Sequence, residues 1–185
     1  MNTKVKILFY ATCNIMTITL LMSLLSCGQQ PKSLEAICMV APTEGNQVTG
    51  SVTFTETADG VKIVADLTGL EPGLHGFHIH EFGDCSAPDG SSAGGHFNPE
   101  NASHGSLMDA DRHSGDMGNI VADSSGHAHM EITDKMMTLK GEKSIINKGL
   151  IVHKNMDDLK TQPTGNAGPR EGCGTIVIVK KNEAI

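Results

Sequence analysis

Tryptophan is absent from this 185-residue chain, tyrosine occurs once and phenylalanine five times. A large aromatic core is thereby excluded, and the apolar interior must be aliphatic. There is no basic run and no stripe of alternating aromatic and basic side chains, and the net charge is −7. A phosphate backbone would find no cationic track here, so nucleic acid is excluded as a partner. Internal repeats are missing, and no segment after residue 26 carries a persuasive helical period, which argues against a helix bundle. What is plentiful is glycine, 21 residues of it, as expected of a turn-rich protein. The length suits one domain with a core large enough to fold alone.

Residues 1–26 read as a targeting segment rather than as part of the fold. Lys4 and Lys6 form a positive start, and an apolar run from Ile7 ends in Leu24-Leu25-Ser26-Cys27. That ending resembles the lipobox of bacterial lipoproteins, in which cleavage leaves Cys27 as a lipidated N-terminus. The expected protein is therefore exported, bacterial and held to a membrane by a lipid at Cys27, facing the periplasm or the cell exterior. Residues 27–33 would be its polar tether and 34–185 its folded domain. Removing residues 1–26 takes away two lysines and no acids, leaving 12 basic against 21 acidic residues and a net charge of −9.

Of the five cysteines, Cys13 leaves with the leader and Cys27 would carry lipid, so Cys38, Cys85 and Cys173 remain. An exported compartment permits one disulfide and one free thiol, and counting does not choose the pair. Cys38, flanked by Ile37, Met39 and Val40, is expected to behave as a small buried hydrophobe.

Short strands with turn signals between them fill the rest. Val48, Gly50, Val52 and Phe54 alternate with polar residues up to Ala58-Asp59-Gly60; Val61, Ile63, Ala65 and Leu67 do so up to Glu71-Pro72-Gly73. Period-two patterns bounded by turns predict antiparallel strands. Further strands are expected near 74–82, 117–123, 127–133, 149–153 and 175–179. Residues 135–148 leave a short helix open, although Gly141 favours a turn. About eight strands without a clear helix predict an all-β sandwich or barrel. The loop from Gly83 to Gly115 is long enough to imply function.

That loop and the strand before it concentrate the chemistry. His78 and His80 stand at i and i+2, a spacing that puts both imidazoles on one face of a strand. His96, His104 and His113 follow among Gly, Ser and Asp, and Asp116 comes three residues later. Imidazole nitrogens with one carboxylate suit zinc and copper rather than calcium or magnesium.

The motifs GFHIHEFGD around His78 and His80, GGHFNP around His96, HSGDMGN around His113 and Asp116, VHKNMDD around His153 and Asp157, and GNAGPREGCG around Arg170 and Cys173 resemble copper/zinc superoxide dismutase. The resemblance covers nearly all of residues 35–180. It implies an eight-stranded antiparallel Greek-key barrel and the dismutation of superoxide anion to dioxygen and hydrogen peroxide. It also implies copper on His78, His80, His96 and His153, and zinc on His96, His104, His113 and Asp116. His96 would bridge the two metals and carry a proton during a two-stroke redox cycle. Asp157 would link His78 to His104, Arg170 would stand beside copper, and Cys85 would pair with Cys173, leaving Cys38 free. His75, His127 and His129 match no ligand position and are expected to be structural or exposed.

The segment between Leu159 and Gly165 is shorter than in many relatives, which carry extra charge there, and the interval from His80 to His96 lacks a long bacterial insertion. The resemblance allows a homodimer without choosing its mode. The competing reading is a copper-binding or chaperone lipoprotein on the same fold. The presence of every ligand position and of Arg170 favours the enzyme.

Overall fold

The computed structural model describes residues 33–179; the leader, Cys27 and most of the tether lie outside the described residues. Eight antiparallel strands run in chain order: β1 Glu35–Pro42, β2 Thr49–Thr57, β3 Gly60–Thr68, β4 Gly73–His80, β5 Asp116–Ala122, β6 Ala128–Asp134, β7 Gly149–His153 and β8 Arg170–Ile178. They close into a barrel in the order β1-β2-β3-β6-β5-β4-β7-β8. Closure removes the free sheet edges that would otherwise template association.

Alternation decides which side chains enter the barrel. Val52 and Phe54 of β2, Val61, Ile63, Ala65 and Leu67 of β3, Phe77 and Ile79 of β4, and Leu150 and Val152 of β7 are buried in one core. The aliphatic composition is thus answered by an interior of Val, Ile and Leu with a few Phe. Cys38 of β1 joins this core as a free thiol, and burial pushes its pKa up to about 12. His78 and His80 alternate with Phe77 and Ile79, so they face away from the core. They are nevertheless buried, because the long loops close over that outer face. Ala93, Ile151 and Cys173 form a second small apolar cluster between barrel and loop.

One boundary differs from the sequence expectation, one ambiguous segment is resolved in favour of turns, and two apolar flanks are exposed. β8 begins at Arg170 rather than near Thr175. Its first residues, Arg-Glu-Gly-Cys-Gly, lack strand propensity, but pairing with β7 and β1 imposes the extended form. Residues 135–148 form turns and isolated bridging with no helix, and Gly141 has φ +76°, a conformation that favours glycine. Leu74 and Phe82 are exposed, so the apolar side of β4 is narrower than its flanks suggested.

Candidate metal centre

The loop from Gly83 to Gly115 is tied to β4 by the backbone itself. Ile79 N–H donates to Gly115 O (2.9 Å), Phe97 N–H to Ile79 O (2.8 Å) and Gly115 N–H to Phe97 O (2.9 Å). Each member of this three-way ring is next in sequence to a candidate ligand: Ile79 to His78 and His80, Phe97 to His96, Gly115 to Asp116. A Cβ on Gly115 would run into Ile79 O, so only glycine allows the approach. The covalent tie is Cys85–Cys173, with Cα atoms 5.8 Å apart, which fastens the loop to β8.

Two buried groups of side chains result, each with its ligand atoms within 4.8 Å of one another: His78, His80, His96 and His153, and His96, His104, His113 and Asp116. His96 belongs to both. Its Nδ1 lies 2.8 Å from Asp116 Oδ1, while its Nε2 is buried without any hydrogen-bond partner.

In the first group the outer nitrogen of each ring is held by an acceptor, which fixes the tautomer. His80 Nδ1–H donates to Gly94 O (3.0 Å) and His153 Nδ1–H to Gly168 O (3.1 Å). Both Nε2 atoms of the neutral rings are then lone-pair donors, and they confront each other at 3.3 Å. His78 is turned the other way: its Nε2–H donates to Asp157 Oδ2 (2.7 Å), and its Nδ1 is buried without a partner. Four inward lone pairs with no proton to share are resolved by a cation. Burial pushes His96 down to about 4 and His153 down to about 3, and holds His80 well below its ordinary range. His80, His96 and His153 are therefore neutral near pH 7, the form a metal needs.

The second group is organised on one carboxylate. Asp116 Oδ2 accepts the backbone N–H of Gly105 (3.0 Å) and of His113 (3.1 Å). Its Oδ1 faces Nδ1 of His96 at 2.8 Å, of His104 at 3.0 Å and of His113 at 3.3 Å. His104 Nε2–H donates to Asp157 Oδ1 (3.0 Å). Burial opposes charge on His104, but Asp116 and Asp157 overrule it and raise the ring to about 9. A metal ion would take the place of that extra proton. Three imidazoles and one carboxylate are the donor set of a four-coordinate zinc site.

Asp157 joins the two groups, one oxygen to each. It is fixed in turn by Asn119, whose Oδ1 accepts Asp157 N–H (2.8 Å) and whose Nδ2 donates to Asp157 O (2.9 Å). Gly165 has φ +64°, and a Cβ there would collide with Asp157 Oδ1. Arg170 pairs with His153 across β7 and β8. Its guanidinium donates to Gly90 O and Gly94 O, both at 2.6 Å. Gly94 O thus receives both Arg170 and His80. Burial pulls the Arg170 guanidinium below its ordinary value and Asp89 opposes this; a guanidinium stays charged at any working pH.

Several supporting residues escaped the sequence reading. Gln162 clasps the His104 backbone, accepting its N–H and donating to its carbonyl, both at 2.8 Å. Buried Arg112 donates to His113 O and Asp116 O (3.0 Å each) and pairs with Asp134 at 2.6 Å. Asn119 and Arg112 carry no spacing signal, since each acts across the fold. His75 is structural, bonded to His153 O (2.9 Å) and Glu71 O (2.8 Å), whereas His127 is half-buried and His129 is exposed.

A family model described as copper/zinc superoxide dismutase matches residues 48–176. The chain is 43% identical over 157 residues to an extracellular superoxide dismutase [Cu-Zn] of Brugia pahangi, covering 80% of this chain and 77% of that protein. It is 42% identical over 151 residues to a superoxide dismutase [Cu-Zn] of Onchocerca volvulus, covering 75% and 94%. With superoxide dismutase [Cu-Zn] A of Xenopus laevis the identity is 45% over 150 residues, covering 77% and 97%.

Proposed function

The chain belongs to the copper/zinc superoxide dismutase family, and from that premise we propose how its own residues carry the activity and where it works. It is an oxidoreductase that dismutes superoxide, with copper and zinc as its metals. The observation that carries the residue assignment is the convergence of four imidazoles whose outer nitrogens are already committed.

His78, His80, His96 and His153 would hold copper, and His96, His104, His113 and Asp116 would hold zinc. Copper, when bound, supplies the one-electron exchange with superoxide, and zinc supplies a redox-silent clamp. The chain does the rest. His96 is the proton carrier: with Nδ1 turned to the Asp116 group, Nε2 is the nitrogen at which a proton is taken up and handed on. Asp157 fixes the tautomers of His78 and His104 together. Arg170 holds a positive charge beside His153, kept in place by two carbonyls of the disulfide-tethered loop.

The protein would act outside the cytoplasm, a reading supported by its disulfide and by the extracellular relative. The lipobox-like ending at Cys27 supports a bacterial lipoprotein anchored to a membrane. Exposed Met39, Phe82 and Val177 offer apolar surface for pairing two copies, which sedimentation of the soluble domain would detect.

Superoxide decay measured with copper and zinc quantified in the same sample tests the proposal. His153→Ala should abolish activity and lose copper while keeping most of the zinc. Wild-type turnover in that variant would overturn the copper assignment. A metal-loaded wild type without activity would favour the copper carrier instead.

A further inference from the structure

We propose that Asp66, His127 and His129 form a third transition-metal site, open to solvent and separate from the buried centre. All nine histidines fall within residues 33–179, and seven of them are buried. The other two meet on the same carboxylate. His127 Nε2 lies 3.0 Å from Asp66 Oδ1, and His129 Nδ1 lies 3.4 Å from Asp66 Oδ2.

The sheet builds this cluster. Asp66 of β3 is the direct cross-strand partner of His129 of β6, so their side chains leave the same face. His127 stands two residues before His129, just ahead of β6, and its ring reaches the other oxygen of the same carboxylate. His127-Ala-His129 repeats the His-x-His spacing of His78-Ile-His80, with a carboxylate opposite it in place of further imidazoles. The next outward residue of β6 is Glu131, held at 2.7 Å by Lys62, so the face carries two carboxylates against one lysine. The three side chains are 41%, 53% and 60% exposed for His127, His129 and Asp66. The two ring nitrogens lie on different oxygens of Asp66, farther apart than the donors of the buried groups, and a bound ion would draw them onto one carboxylate oxygen.

Two imidazoles and one carboxylate suit zinc(II) and copper(II), and copper(II) binds such a set most tightly among divalent first-row ions. Three protein donors leave coordination positions to water, so the ion exchanges freely. None of the three residues serves the buried centre, whose ligands come from β4, β7, the first residue of β5 and the loop before it.

The test titrates copper(II) chloride into the full-length holoenzyme, with its buried metals in place, by calorimetry and electron paramagnetic resonance. The wild type should take up one further equivalent and show a copper signal with imidazole nitrogen splitting. His127→Gln/His129→Gln should lose that equivalent, and Asp66→Asn should weaken it at least tenfold. Superoxide decay should be unchanged in both variants, and zinc(II) should compete for the same equivalent. Absence of a further equivalent would refute the site, leaving the cluster as cross-strand ion pairs. A further equivalent that persists in the double variant would refute it too, by placing the ion elsewhere.

Discussion

Asp157 is the residue whose loss should be felt in both metal groups at once. Its two oxygens accept from His78 and His104, and among the described residues no other side chain does so for those two nitrogens. Asp157→Asn keeps the size but leaves one carbonyl oxygen for two N–H donors, with an amide N–H facing the other ring. Partners of this kind orient metal-binding histidines, and losing one costs about 10–100-fold in metal affinity. Zinc affinity by chelator competition should fall by that order with the barrel intact by circular dichroism; an unchanged affinity would contradict the role. Two nitrogens of Arg170 use two fixed carbonyls, a fork that lysine cannot reproduce. Arg170→Glu should slow superoxide decay far more than Arg170→Lys, with copper content unchanged. The wild-type rate should fall as salt rises, since exposed charges are screened over about 8 Å at physiological ionic strength. A glutamate variant with the wild-type rate and salt slope would remove Arg170 from substrate capture.

Among the elements, the long loop depends most on ties outside itself. Its Ser/Gly/Asp composition gives it little apolar surface, so the disulfide, the backbone ring at Ile79, Phe97 and Gly115, and the buried Arg112–Asp134 pair hold it. Cys85 and Cys173 are 88 residues apart. Closing a loop of that length is worth roughly 4–5 kcal/mol in the chain-entropy model. Cys173→Ser should lower stability by up to that amount in denaturant unfolding. It should also reduce activity, because Gly90 and Gly94, the supports of Arg170, lie in the released stretch. Full activity together with wild-type stability would show that the hydrogen bonds alone suffice.

At the scale of the whole molecule, the metal-free protein is set against acid. His80, His96 and His153 are held neutral by burial, with His96 at about 4 and His153 at about 3 against an ordinary 6.5. Below about 6.5 the unfolded chain binds protons that these folded rings refuse, so stability falls as pH drops from there toward about 3. Asp116 and Asp157, both held well below the ordinary carboxylate range by their histidine partners despite opposing burial, add to the same acid limb. His104 works in the other direction. Raised to about 9, its contribution is complete below about 6.5 and is lost as pH rises through 9. Denaturation midpoints of the metal-free protein should therefore pass through a maximum near pH 6.5 and decline on both sides. A midpoint independent of pH between 4 and 9 would contradict these shifts.

The strands were largely legible because alternation is local: Val61, Ile63, Ala65 and Leu67 announce β3 within seven residues of sequence. The candidate ligands stood out for a related reason. His78, His80, His96, His104 and His113 stand close enough together to signal a metal, and the family motifs supplied His153, Asp157 and the cysteine pairing. The start of β8 at Arg170 was not legible, because its neighbours β1 and β7 impose the extended form on residues without strand propensity. Nor were Gln162, Asn119 and Arg112, whose partners lie 58, 38 and 22 residues away for His104, Asp157 and Asp134 respectively. The cluster of Asp66 with His127 and His129 belongs to the same class. The sequence alone determined the periodicity, the aliphatic core and the clustered imidazoles. Tertiary structure decided which nitrogen each ring turns inward, because tautomer and orientation depend on acceptors that only the closed barrel brings within hydrogen-bond distance.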